Sequence, residues 1–317
     1  MPNRRFMSAF MVLVLASVAC SVNLSDTPAP GFSDSTSTPA LQVELSPTVA
    51  PVLTLEQLKN AEVEIVGVSG TAATRKIKLT DGRFQAGSDL AAADYVSVSM
   101  GEQVAFGDLN GDGAEDAAII IGENYGGTGD FVSVVAMLDQ GGQPIFAGSV
   151  GIDDRPAIDA LGIQNGEIRV DATIHGPNDP GCCPAQPAAE TFRLWGGRLL
   201  LTNFTTKTPS GTERIIKIDS PTPGTQVSGP FTVNGSVTIA PFENNLAYFV
   251  FLEGAPEPLV QSSVLVNATE PGGPGTFQIP LDFSEAGIKG NVRIEVSDIS
   301  AANGNYLALA TLFVTVK

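Results

Sequence analysis

From residue 54 onward, short apolar runs alternate with clusters of Gly, Pro, Asn and Asp. Most runs carry the period of two that puts successive side chains on opposite faces of a strand. Glu62–Val68, Arg75–Leu79, Tyr95–Ser99, Phe131–Leu138, Glu167–Ile174, Thr191–Leu194 and Arg198–Leu201 read as strands, with turns at Asp81-Gly82, Asp139–Gly142 and Gly196-Gly197. Val104–Phe106 and Ala117–Ile121 are apolar without alternation, as strands buried on both faces are. One helix start is legible: Thr54 with Gln57 three residues later forms a capping box that opens a short helix.

Past a polar stretch around 202–213 the spacing becomes steadier. Strands are expected at Ile215–Ile218, Phe231–Ile239, Ala247–Glu253, Val260–Val266, Thr276–Phe283, Asn291–Ser297 and Ala308–Val316. About seven short strands in roughly 100 residues, broken by turn signals, is the pattern of an immunoglobulin-like sandwich. The chain therefore reads as mainly β. An N-terminal β-rich (α+β) domain over 53–201 is followed by a connector over 202–213 and an immunoglobulin-like β-sandwich over 214–317.

The first 52 residues follow a different logic. Arg4 and Arg5, the apolar run Phe6–Leu15 and Ser17-Val18-Ala19-Cys20 have the order of an export signal, residues 1–20. A small residue before Cys20 resembles a bacterial lipobox, which implies lipidation of Cys20 and a membrane anchor; Ser17 stands where that family has Leu. Ordinary cleavage near Ala19, with release, is the alternative. Residues 21–52 are rich in Ser, Thr and Pro, bury too little apolar area to fold, and make an extended linker. The expected location is extracytoplasmic, lipid-anchored to the bacterial cell membrane.

Composition narrows the partners. The net charge is −17, from 17 Lys+Arg against 34 Asp+Glu. Nucleic-acid binding needs basic patches that displace counterions from phosphates, and is excluded as a function class.

The most distinctive stretch is VAFGDLNGDGAEDAAIII, Val104–Ile121. Asp108, Asn110, Asp112 and Asp116 occupy positions 1, 3, 5 and 9 of a loop, with Gly113 at 6 and the Ala114 carbonyl at 7. Calcium takes six to eight hard oxygen ligands at about 2.3–2.6 Å, and this spacing curls such oxygens around one point. Ile119 stands at position 12, where an EF-hand places its bidentate Glu, and the flanks read as strands. The loop resembles the DxNxDGxxD loops of FG-GAP (integrin-type) repeats, here in a single copy, which implies a structural calcium ion. A metal-free Asp/Asn/Gly turn is the competing reading. The following glycine-rich turn, Glu123–Gly129, lacks the Lys-Ser/Thr of a phosphate loop and precedes a strand.

His175-Gly-Pro-Asn-Asp-Pro-Gly-Cys182-Cys183-Pro184 contains the one His and the two Cys that remain beyond Cys20. In an oxidising compartment a disulfide between Cys182 and Cys183 is expected. Free or intermolecular thiols, or a zinc site using His175, Cys182 and Cys183, stay open.

AFGDLNGDGAEDAA, ENYGGTG and HGPNDPGCCP, taken in order from Thr54 to Leu200, resemble an uncharacterised bacterial extracytoplasmic lipoprotein domain, which carries no chemistry with it. In the second half, Ile218-Asp219-Ser220-Pro221 with Gly224, Val233-x-Gly235, Phe242-Glu243, and Val296-Ser297-Asp298-x-Ser300 with Gly304 resemble the immunoglobulin-like domain of bacterial spore germination. That resemblance implies an extracellular binding module without catalytic residues.

An enzyme fits the inventory poorly. One His in a Pro/Gly-rich loop would serve any triad, and no G-x-S-x-G elbow is present. Asp153 and Asp154 read as a solvated turn before Arg155-Pro156. The expectation is a non-catalytic surface lipoprotein binding an extracellular protein or glycan. The alternative is an extracytoplasmic hydrolase, for example on glycans, with the sandwich as accessory domain.

Overall fold

Thr54 opens the folded chain. Its Oγ1 accepts from the Gln57 backbone N–H at 3.3 Å, while Gln57 Oε1 accepts from the Thr54 N–H at 2.8 Å. This capping box starts helix α1 (Leu55–Lys59), which buries Leu58. The computed structural model describes residues 52–66, 74–284 and 287–317, all within one compact unit. The expected leader, Cys20 and the expected linker up to residue 51 lie outside the described residues.

After α1 come β1 (Glu62–Val66), β2 (Thr74–Lys78), β3 (Arg83–Ala86), β4 (Val96–Gly107), β5 (Asp116–Asn124), β6 (Phe131–Asp139) and β7 (Pro144–Asp154). Strands β1 and β2 pair antiparallel, and β3 to β7 form a five-stranded antiparallel sheet in sequence order. The apolar run expected to be buried on both faces is β5, the middle strand. Its Ala117, Ile119 and Ile121 join Leu58, Val63, Ile65 and Ile77 of α1, β1 and β2. Its Ala118 and Ile120 point the other way, into a core shared with the next four strands.

Those strands are β8 (Ala157–Gln164), β9 (Glu167–Ile174), β10 (Gln186–Trp195) and β11 (Arg198–Lys207). Ile168, Val170, Ala172 and Phe192 alternate inward from β9 and β10 and close the second core.

The second half contains β12 (Glu213–Arg214), β13 (Ile216–Ser220), β14 (Gln226–Val227), β15 (Phe231–Val237), a 3₁₀ turn at Phe242–Asn244, β16 (Asn245–Leu252), β17 (Val260–Leu265), β18 (Asn267–Ala268), β19 (Gly275–Leu281), β20 (Gly290–Ile299) and β21 (Tyr306–Val316). A four-stranded sheet, β13-β15-β19-β18, packs on β16, β20 and β21 through Val233, Phe277, Ile279, Leu246, Ile294 and Leu312. The expected sandwich is present, and the chain is mainly β.

The stretch 202–213 departs from expectation. Residues up to Lys207 belong to β11, and β11 pairs antiparallel with β21 at Asn203↔Ala310 and Phe204↔Leu309. One ten-stranded sheet, with main path β17-β16-β20-β21-β11-β10-β9-β8, therefore runs through both halves. The sequence looks polar because Thr202 and Thr206 face inward. Thr202 Oγ1 donates to the Thr191 carbonyl at 3.1 Å and Thr206 Oγ1 to the Leu307 carbonyl at 2.7 Å. A threonine whose hydroxyl is satisfied by backbone sits in a core without the desolvation penalty its polarity suggests.

At the same junction, Asp298 of the Val296–Ser300 motif is buried and accepts from Arg214 Nη1 at 2.8 Å. Burial pushes the Asp298 carboxyl up, and the Arg214 guanidinium pulls it back.

Candidate functional site

The Asp108–Glu115 loop joins β4 to β5, closing on the register pair Gly107↔Asp116. It is a strand–loop–strand element, and its oxygens are organised by its own amides. Asp108 Oδ1 accepts from Gly111 N at 2.6 Å and Oδ2 from Gly113 N at 3.0 Å. Asn110 Oδ1 accepts from Asp112 N at 2.9 Å, and Asp112 Oδ1 from Ala114 N at 2.8 Å. Asn110 Nδ2 donates to Asp112 Oδ2 at 2.8 Å. Gly111 and Gly113 sit at φ +82° and +86°, the left-handed region in which a Cβ is strained. The Ala114 N–H and, next, the Asn110 side chain hold the Asp112 carboxyl below its usual range.

Asp116 differs from its loop partners. It is fully buried, with Oδ2 accepting from Leu109 N and Oδ1 from Asp139 N, each at 2.8 Å. It ties the base of the loop to the end of β6. Burial pushes its carboxyl up, the two amides pull it down, and the charges of Asp112 and Asp108 push it up again.

The donor set suits a hard cation. Asp108, Asn110 and Asp112 are short oxygen-bearing side chains gathered on one exposed loop, and each carboxylate oxygen retains a lone pair beyond the amide it accepts. Among the described residues no group of three or more His, Cys, Asp or Glu side chains converges as a metal shell. Glu123 and Asn124 lie at the far end of β5. Glu123 accepts from the Tyr125 hydroxyl, and Asn124 Nδ2 donates to the Gly129 carbonyl at 2.6 Å, folding the glycine-rich turn.

In the second distinctive stretch, the Cys182 and Cys183 sulfurs are joined to each other. His175 is turned elsewhere: its Nδ1 lies 2.9 Å from Asp153 Oδ2, which also accepts the His175 backbone N–H at 2.5 Å. The solvated turn expected at Asp153-Asp154 is replaced by the end of β7. There Asp154 accepts the Asp130 N–H at 2.7 Å and the Arg155 guanidinium at 3.1 and 2.5 Å. Each carboxylate has a fixed partner on another element or beside it, which a solvated turn lacks.

His175 and Asp153 open onto a cavity of about 480 Å³ at the junction of the two halves. Val150 and Ile152 of β7, Ile174 of β9, Gln186 and Glu190 of β10, and Leu201 and Phe204 of β11 form its walls. Asn303 to Leu307, from the β20–β21 turn and the start of β21, close it. Glu190 is only 5% exposed, and its carboxyl is pushed up to about 8, by burial first and then by the charge of Asp153. Glu190 belongs to no sequence motif, and the signal that marks it is register. In β10 Ala188, Glu190 and Phe192 are the buried alternate positions, so a carboxylate occupies a core-facing place.

Residues 215–305 match the family described as the immunoglobulin-like domain of bacterial spore germination. This agrees with the sandwich of β13 to β21. No curated protein matches the chain.

Proposed function

We propose that this chain is a bacterial surface lipoprotein whose folded part is a non-catalytic binding module. Cys20 carries the lipid and residues 21–52 hold the module off the membrane. The carrying observation is the make-up of the junction cavity. Among its lining residues there is no Ser, Thr, Cys or Lys, so the Asp153–His175 pair has no such side-chain nucleophile beside it to activate. The immunoglobulin-like half, a family of extracellular modules by resemblance, supplies part of the same cavity wall.

The Asp108–Asp116 loop is read as a structural calcium site. Asp108, Asn110, Asp112 and the Ala114 carbonyl would hold the ion, with Asp116 bracing the loop. Bound calcium would remove the mutual repulsion of the loop carboxylates and fix the β4–β5 connection.

The Asp153–His175 pair supports a second reading, a hydrolase in which His175 draws a proton from water. Incubating the full chain with insoluble cell-wall glycan separates the two. Retention on the glycan with no release of soluble reducing ends is expected. Reducing ends that accumulate with wild type and vanish with Asp153→Asn would replace the binding reading by the hydrolase.

A further inference from the structure

Two acceptors on residues that line the junction cavity have no partner within the described residues. His175 Nε2 is buried without a hydrogen bond. A carboxylate can only accept, so Nδ1 bears the proton shared with Asp153, and in the neutral ring Nε2 is left as an acceptor. Glu190, 5% exposed, has neither a hydrogen bond nor an ion pair among the described residues. A buried carboxyl left in this state costs free energy that a leucine of similar size would not, and the fold gains no contact in return.

The carboxyl groups of Asp153 and Glu190 line the cavity from β7 and β10, His175 from the residue after β9 and Tyr306 from β21, whereas β11 offers only Leu201 and Phe204. No Lys or Arg lines it. The Tyr306 hydroxyl is already engaged, donating to Glu295 Oε1 on the neighbouring strand β20 at 3.0 Å. A site with apolar walls, two carboxyl groups and no Lys or Arg in its lining is complementary to a ligand that brings N–H donors and positive charge.

We propose that this cavity binds a small organic cation, a primary ammonium group on a compact apolar body, with Glu190 as counter-ion and His175 Nε2 as a second acceptor. Val150, Ile152, Leu201 and Phe204 receive the apolar body. The inference rests on the binding-module reading and specifies its ligand class. Because the Glu190 acid must give up its proton to pair with an ammonium group, binding strengthens as pH rises toward the carboxyl's raised value and releases a proton.

The test is calorimetric titration of the full chain with phenethylamine and, separately, with its neutral isostere 2-phenylethanol. The amine is expected to bind about tenfold more tightly at pH 7.5 than at pH 6.5. The alcohol is expected not to bind, and Glu190→Gln should abolish amine binding while retaining a cooperative melt. Equal binding of amine and alcohol, no binding of either, or a wild-type affinity that does not change with pH would each overturn the proposal, with no reliance on the variant. Retention on cell-wall glycan keeps the two readings apart. Loss of amine binding with glycan retention intact would overturn this proposal alone, while loss of both would overturn the binding-module reading as well.

Discussion

Phe204 and Leu309 face each other in register across the β11–β21 pair, one from each half of the chain. Both are buried, and both belong to the core between the N-terminal sheets rather than to the sandwich core. Leu309 is thus a side chain of the second half that completes the first.

Isolating residues 214–317 tests what that sharing is worth. The sandwich has its own core, so the fragment is expected to melt cooperatively. Leu309 loses its cover, at a cost of about 1.5–3 kcal/mol, and the β21 edge is opened. The fragment should therefore melt below the full chain and self-associate at high concentration, as calorimetry and gel filtration would report. Absence of any cooperative transition would show that the boundary at 213/214 does not separate folding units.

Gly235 allows β15 to pass close to its neighbours. A Cβ there would lie 2.2 Å from Phe277 Cζ and 2.5 Å from the Lys217 carbonyl oxygen. Gly235→Ala is expected to destabilise by about 1–3 kcal/mol, read as a lower denaturation midpoint. Adding Phe277→Leu should not restore wild-type stability, because the backbone oxygen remains in the way.

Two aspartates of the β4–β5 loop should behave differently. Asp112→Ala removes an exposed loop oxygen and should abolish stabilisation by calcium, about 2.7 kcal/mol at a hundredfold excess over Kd. Asp116→Ala strands the buried N–H groups of Leu109 and Asp139 and should cost about 1–3 kcal/mol even in chelator. Thermal melts in chelator and in roughly 10 mM calcium, above the range of extracellular modules, make the comparison. Equal wild-type melts in both media would leave the loop a turn.

The strands are largely legible in the sequence because burial and alternation coincide in them. Ala117–Ile121 is apolar at every position because two cores meet on β5, and Glu167–Ile174 alternates because β9 has one buried face. Strands β7 and β8 are not legible. Their side chains are partly exposed throughout, and Gly148, Gly151 and Gly162 interrupt the pattern, so no period stands out; β3 alternates, but over only four residues. The loop oxygens are readable because their spacing is local. Asp153, His175 and Glu190 are not readable as one site, because three strands bring them together from distant positions.

Glu190 also gives the fold a pH dependence. Its carboxyl shifts from 4.5 to about 8 on folding, so between these values the native state holds a proton that the unfolded chain has released. Stability should therefore fall as pH rises through this window, by up to about 1.4 kcal/mol per pH unit. Glu190→Gln should flatten that slope, as denaturant midpoints at pH 5 and pH 8 would show. An unchanged slope would mean that Glu190 is ionised in the native state.

For the anchor, Cys20→Ala is expected to move the protein from the detergent phase to the aqueous phase when cells expressing it are partitioned. Equal partition of wild type and variant would mean that Cys20 carries no lipid.

The continuous sheet also sets a distance. From β17 at one edge to β8 at the other are seven inter-strand steps of about 4.8 Å, or roughly 34 Å measured along the sheet. Hydrogen bonds, rather than a linker, maintain that span. Two partners gripping opposite edges would be held at a nearly constant separation, so a bivalent ligand gains avidity only if its own epitopes match that spacing. In this respect the molecule is a ruler.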